Sequence, residues 1–362
     1  MIDFEPAEEQ QLIAETVKQF AANEIRPLAR DAAEAHKLPD AILAQAHELG
    51  LVALGLPEAH GGGGERSAVT GVLIAEELAF GDLAIALAIL SPSLSGLPIS
   101  DHGTDAQRSE LLPRFTAADF VPGALAVVEP SLRADPARPQ TQAVRDGDRY
   151  AISGSKCFVP WIDGGDHVLV VAAEDDTPQI FVVQRDAAGL TATPEKNLGL
   201  DALPTVELAL DGVRVPASAR LGGDAGSDVK QILVRGRVAL AATAVGVARA
   251  SFEIARDYAK EREAFGVKIG QKQAIAFMLA EMAIEIDGAR LLAWEAAWKL
   301  DQGQDALREA TLACDQVRRM SIEVADRAVQ VFGGHGYVRD YLPEMHLRNA
   351  RGFASFEALA LV

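Results

Sequence analysis

Ile13, Val17 and Phe20 recur at helical spacing ahead of Pro27, which predicts an amphipathic helix near the start of the chain. Pro39 and Gly50 bracket a second helix, with proline near its start and glycine just past its end. Further apolar helices follow through Ala75 to Leu90, so residues 1–118 read as an N-terminal α domain. From 119 to 226 the texture changes to short alternating runs with turn punctuation. Gln142–Val144 and Arg149–Ile152 flank Asp146-Gly147, a hairpin signal, and Val206–Leu210 and Val213–Pro216 flank Asp211-Gly212 in the same way. Val168–Ala173 and Ile180–Val183 read as the more buried strands of an antiparallel, all-β middle domain.

Long helices return over 227–362. Ile275, Leu279, Met282, Ile286, Ala289, Ala293 and Ala296 alternate steps of four and three, the stripe of a helix in an antiparallel bundle, and Val317, Val324, Ala328 and Val331 suggest another. Two such helices cannot bury their stripes alone. A four-helix bundle satisfies them, and apolar faces left over favour an oligomer.

The 362 residues exceed the size at which one core keeps growing, which is consistent with several domains. The balance of 34 basic against 52 acidic residues, net −18, argues against a nucleic-acid surface, which needs clustered Lys and Arg. No run of about twenty apolar residues is evident, and Met-Ile-Asp-Phe-Glu-Pro is not a charged-then-apolar leader. The expectation is a soluble cytoplasmic protein that does not bind a membrane. Cys157 and Cys314 are far apart and lack metal or redox spacing, so both are expected in the core. The seven histidines never occur in His-x-x-x-His spacing, and no metal site is expected.

No glycine cluster follows a strand and opens a helix as a dinucleotide fingerprint, and none is followed by Lys-Ser or Lys-Thr. Gly333-Gly334-His335-Gly336 follows a helix end. It is either an ordinary helix cap or a place where backbone amides approach an anionic ligand. The segment Arg262-Glu-Ala-Phe265-Gly266 interrupts two helices, and its arginine offers a planar fork for a phosphate or for a loop ion pair. Glu357 is the one ionisable side chain in the last eleven residues, all its neighbours there being uncharged. A carboxylate in apolar surroundings is a candidate base, because loss of water disfavours its charge; the alternative is a solvated glutamate on a frayed end.

Taken in order, these segments resemble the acyl-CoA dehydrogenase family of flavoenzymes over nearly the whole chain. The resemblance runs through Glu24-Ile-Arg-Pro27, Glu48-Leu-Gly-Leu51 and Leu56-Pro-Glu-Ala-His-Gly-Gly62 to Gly103-Thr104, Leu112-Pro113 and Val128-Glu129-Pro130. It continues in Gly212-Val-Arg-Val-Pro216, Arg262 to Gln273, Gln330 to Tyr337, Arg348-Asn-Ala-Arg351 and Phe356-Glu357. It implies a mainly α fold with a β-barrel insert: an N-terminal α domain, a middle β domain and a C-terminal four-helix bundle. It also implies FAD, an acyl-CoA substrate and α,β-dehydrogenation, with Glu357 removing the α-proton and electrons passing to an electron-transfer flavoprotein. Arg262, Phe265, Gln273, Gln330 and Gly334 would hold the pyrophosphate and adenosine end of a neighbouring subunit's FAD. Arg237 and Phe356 would lie beside the substrate.

The flavin-facing side departs from the pattern. Val128 and Ala134 stand where the family has threonine and serine, and Phe158-Val159-Pro160 stands where it has Trp-Ile-Thr. Val234 replaces an aspartate, and Ala358-Leu359 replaces a Gly-Thr. A phenyl ring still packs on a flavin, but proline offers neither hydroxyl nor N–H. Each lost hydrogen bond removes about 0.5–1.5 kcal/mol. The leading expectation is an active dehydrogenase, dimeric or tetrameric. The alternative is a largely structural subunit that lends its Arg262 and Gln330 half-site to a related chain; an oxidase or nitroalkane enzyme on the same fold ranks lower.

Overall fold

The computed structural model describes residues 5–64 and 66–362. The reading of the first four residues as no part of a leader lies outside the described residues. The N-terminal helices are α1 (Glu8–Phe20), α2 (Ala29–Ala35), α3 (Asp40–Glu48), α4 (Ala68–Gly81), α5 (Leu83–Ile89), α6 (Ser93–His102) and α7 (Asp105–Leu111). Pro39 caps α3 at its start and Gly50 follows its end at φ +69°, as the proline–glycine asymmetry predicts. The apolar run over Ala75 to Leu90 divides in two because Asp82 stops α4 and caps α5, its carboxylate accepting Ile85 N–H at 2.9 Å.

Seven strands follow: β1 (Leu125–Ala126), β2 (Gln142–Asp146), β3 (Arg149–Pro160), β4 (His167–Glu174), β5 (Thr177–Gln184), β6 (Leu190–Pro194) and β7 (Thr205–Pro216). β1 and the start of β2 pair in succession along one edge of β4 and β5 pairs along the other, with β3, β7 and β6 following β2 in that order, so the sheet is open and not a closed barrel. Two expectations are corrected here. The sheet is mixed, because β1 and the start of β2 run parallel to β4. Asp146-Gly147 does make the β2–β3 hairpin, but Asp211-Gly212 makes no turn: it lies inside the continuous strand β7. Both halves of β7 pair with β3, and Gly212, at φ +59°, stands where the register shifts between Ile152 and Gly154, so the extra residue is absorbed as a bulge.

The C-terminal helices are α8 (Val229–Glu261), α9 (Gln273–Asp301), α10 (Leu307–Phe332) and α11 (Pro343–Gly352), with a short β8–β9 hairpin (Glu263–Ala264, Val267–Lys268) between α8 and α9. The α9 stripe is buried from Met282 through Ile286, Ala289, Ala293 and Ala296, with Ile275 and Leu279 packed at its edge. Glu76 of α4 binds Arg249 of α8 at 2.8 Å and Arg290 of α9 at 3.0 Å, which fixes three helices around one buried carboxylate. The main core joins α1, α4 and α5 to α8, α9 and α10, and a second core lies inside the sheet. Cys157 and Cys314 are both buried. The stretches Leu83–His102 and Val229–Glu261 are long and apolar enough to cross a membrane by length and composition, which corrects the reading of no such run. Their most apolar windows are 94% and 78% buried within the protein, the property of core helices.

Candidate active site

Three elements meet at Glu357. The chain leaves α11 at Gly352 and turns through Phe353 onto α8. A Cβ on Gly352 would lie 2.0 Å from the Phe356 ring, so glycine is what lets that ring fold back over the helix end. A Cβ on Gly236 would lie 3.0 Å from the Ala358 Cα, so α8 receives the turn at close range. Arg237, the next residue of α8, is thereby brought beside Glu357.

The carboxylate is gripped unequally. Arg318 of α10 donates Nη2–H to Oε1 at 3.1 Å, while Arg237 Nε stands 3.6 Å from Oε2, too far for a good hydrogen bond. Oε2 is buried and accepts no hydrogen bond from the described residues. Arg237 also donates to Thr311 Oγ1 at 3.3 Å, which ties α8 to α10 at this level. Burial pushes the Cys314 thiol pKa up, with Arg318, Glu357 and Arg237 all close enough to act on it. That thiol stays protonated and packs as an apolar group.

Both sequence readings of Glu357's surroundings need correction. The end is not frayed and solvated: Phe356 and Ala358 through Val362 are buried, and the Glu357 side chain is 12% exposed. Nor is the carboxylate in an apolar setting, because its uncharged neighbours in sequence point into the core while two guanidiniums from other helices reach its oxygens. Arg318 escaped the sequence reading altogether. It lies 39 residues from Glu357 on a helix whose stripe predicted only packing.

Phe158 reaches the same place from β3. Its ring stands edge-on to Phe356 with centroids 6.2 Å apart, and Phe356 meets Phe353 at 5.7 Å. Phe158 holds φ +54° at a second register shift of β3, and its N–H donates to the Glu195 carboxylate at 3.0 Å. Val128 lies alongside, its carbonyl accepting Cys157 N–H at 2.9 Å. Pro160 is buried at the end of β3. Ala134 is half-buried in a turn closed by its own N–H to Ser131 O. Beneath this wall, Lys156 is fully buried and binds Glu129 at 2.9 Å and Val127 O at 3.1 Å. Thr141 and Gln140 supply three more donors to Glu129.

Arg262, Phe265, Gln273, Gln330 and Gly334 form a separate group. Tyr258 draws their elements together: its ring stacks on Phe332 at 4.0 Å, and its hydroxyl meets His335 Nδ1 at 2.8 Å, joining the last turn of α8 to the Gly333–Gly336 loop. His335 thus tethers the loop to α8. Phe265 is 95% exposed at φ +56°. Arg262, Gln273 and Gln330 are exposed, and their side chains make no ion pair or hydrogen bond among the described residues. A Cβ on Gly334 would touch nothing within 4 Å. An exposed ring, a free guanidinium, two amides and a bare backbone fit the phosphate and adenosine end of a dinucleotide. The Val128–Phe158–Pro160 wall fits a flat apolar ring system but offers it few donors.

Three family descriptions match the chain: "Acyl-CoA dehydrogenase, N-terminal domain" over residues 7–119, the "middle domain" over 124–213 and the "C-terminal domain" over 226–357. The chain is 35% identical to the probable acyl-CoA dehydrogenase YngJ of Bacillus subtilis, covering 97% of this chain and 94% of that one. It is 31% identical to a 3-(aryl)acrylate reductase of Clostridium sporogenes over 98% and 96% of the two chains. The solved structure of butyryl-CoA dehydrogenase from Megasphaera elsdenii superposes with a TM-score of 0.89 at 28% identity, covering 98% of this chain and 96% of that one.

Proposed function

The chain belongs to the acyl-CoA dehydrogenase family of FAD-dependent oxidoreductases, and from that premise we propose that it oxidises an acyl-CoA thioester to a trans-2-enoyl-CoA with Glu357 as the base. The observation that carries this reading is the asymmetry of the Glu357 carboxylate. Oε1 is held by Arg318, while Oε2 accepts no hydrogen bond from the described residues, so its lone pairs are the ones left to take the α-proton once a thioester replaces what covers it. Burial removes the competing solvent proton donors, and Gly236 and Gly352 fix the turn that aims the side chain. The Glu357 backbone N–H would polarise the thioester carbonyl, since the negative charge released at the α-carbon develops on that oxygen. FAD, when bound, supplies the two-electron acceptor for the hydride leaving the β-carbon.

Val128, Phe158 and Pro160 would line the flavin ring. Arg262, Phe265, Gln273, Gln330 and Gly334 would hold the phosphate and adenosine end across a dimer. Phe356, Arg237 and Ala134 would bound the substrate. Assembly as a dimer or tetramer accords with Phe277, Ile284 and Leu291, exposed at seven-residue spacing on α9. Electrons would leave to an electron-transfer flavoprotein. The reductase named among the relatives leaves the physiological direction open to assay.

The second reading, a subunit lending its nucleotide half-site to a related chain, draws on Pro160 and Val128, which cannot donate to the flavin ring from proline nitrogen or an alkyl side chain. Purification of the chain alone, the visible flavin band, and anaerobic addition of an acyl-CoA panel separate the two. Bleaching by at least one thioester is expected. A colourless protein that cannot be reconstituted with FAD rejects the homomeric enzyme in favour of the lent half-site.

A further inference from the structure

We propose that Arg318 is a positioning residue for the Glu357 base: by tying Oε1 to α10 it fixes the carboxylate plane and leaves Oε2 as the proton acceptor. The proposal rests on Glu357 being the base. It is independent of which acyl group is oxidised.

The side chain of Glu357 has three rotatable bonds and, among the described residues, one hydrogen bond. That bond comes from Arg318 Nη2 at 3.1 Å, across the gap between α10 and the chain after α11. Arg237, the cation nearest Oε2, is itself bonded to Thr311 and stands at 3.6 Å. It contributes field more than direction. Without Arg318, rotation about the last bond of the side chain exchanges the two oxygens and lets the carboxylate swing towards Arg237. The cation at Oε1 and the bare lone pairs at Oε2 then no longer have fixed places relative to the substrate α-carbon. The Arg318 Nε is buried and makes no hydrogen bond among the described residues, while the side chain as a whole is 37% exposed, so Glu357 is the acceptor that orients the guanidinium. Arg319, next along α10, is instead 65% exposed and bonds Gln316 within its own helix. The two consecutive arginines are therefore doing different things.

The step in question is transfer of the α-proton to Oε2. It is isolated from oxidation by a 3-thiaacyl-CoA, which has α-hydrogens but no β-hydrogen, so exchange of those hydrogens with deuterated solvent followed by NMR reports the base alone. With the purified FAD-loaded protein, Arg318→Gln is expected to slow exchange about 10- to 100-fold, the effect of a misaligned reacting group, with the Kd for the same thioester within about threefold of wild type. Arg318→Lys, which restores a cation without the planar fork, should recover part of the rate. Arg319→Gln should leave exchange unchanged. The proposal is overturned if Arg318→Gln exchanges within about twofold of wild type, or if rate and affinity fall in proportion, which marks a pocket wall and not an aligned base. Should Arg318→Gln fail to fold, Arg318→Met decides, and exchange at the wild-type rate in that variant overturns the proposal. A wild-type protein that neither exchanges nor is reduced by any acyl-CoA removes the Glu357 reading itself, and Arg318 with it. Reduction of the wild type with unaltered exchange in the Arg318 variants removes only the positioning role.

Discussion

Replacing Asp82 by asparagine is expected to stabilise the protein, and only above acidic pH. Asp82 is 6% exposed where α4 gives way to α5, and its carboxylate caps the new helix by accepting Ile85 N–H at 2.9 Å. Burial raises its pKa from 3.8 to about 6, with nearby Asp201 adding to the rise, although the first-turn amides of α5 pull the other way. The folded state therefore holds this proton more tightly than the unfolded chain does. The stability so contributed is complete below pH 3.8, declines as the pH rises through about 6, and is absent above it. At 1.36 kcal/mol per pH unit the difference amounts to about 3 kcal/mol. Asparagine keeps an oxygen acceptor for the cap and never ionises. Asp82→Asn should thus match wild type near pH 4 and exceed it at pH 8 by up to about 3 kcal/mol, with Asp82→Ala lying about 1 kcal/mol below the asparagine variant through loss of the cap. His346, whose pKa burial depresses to about 3, adds an acid limb common to all three proteins that cancels in the differences. Urea unfolding followed by tryptophan fluorescence between pH 4 and 8 measures the gap. A gap independent of pH, or an asparagine variant less stable than wild type at pH 8, refutes the reasoning.

Three further substitutions test how the wall and the base are held. Burial holds the Lys156 pKa below its usual range, whereas at Glu129 the desolvation is overcome by Lys156 and the Thr141 and Gln140 donors, and the carboxyl sits below its usual range. Glu129→Gln, which strands a fully buried ammonium, should cost about 3–5 kcal/mol, against about 1–3 kcal/mol for Lys156→Met, where the carboxylate keeps its other donors; chemical denaturation showing the reverse order contradicts this. Gly352→Ala drives a methyl into the Phe356 ring and should lower turnover roughly 100-fold while the ratio of flavin to protein stays near wild type; full turnover shows that the ring need not lie where it does.

The sequence exposes those parts of the fold that repeat along one element. The four-and-three stripe from Ile275 to Ala296 marks α9 because a bundle helix buries one face, and Asp146-Gly147 marks a hairpin because β2 and β3 are local partners. The same dipeptide at 211–212 misleads, since whether glycine closes a turn or relaxes a bulge depends on β3, some sixty residues away. The parallel pairing of β1 with β4 has no local signature for the same reason. At the site, the ordered motifs lead to Glu357 and to the Arg262–Gln330 group. They do not lead to Arg318, whose partner is 39 residues distant. Nor do they show what the Glu129 of Val128-Glu129-Pro130 does, because its role as counter-ion to a lysine at zero exposure is visible only when β1 and β3 are side by side.

The most direct test of Glu357 as the base is anaerobic stopped-flow reduction of the FAD-loaded protein by its best acyl-CoA, wild type against Glu357→Gln at equal flavin occupancy. Glutamine keeps the size and the backbone N–H but cannot take a proton, so flavin bleaching should slow by roughly 100-fold or more while thioester binding persists. Bleaching of the Glu357→Gln protein at the wild-type rate contradicts the account.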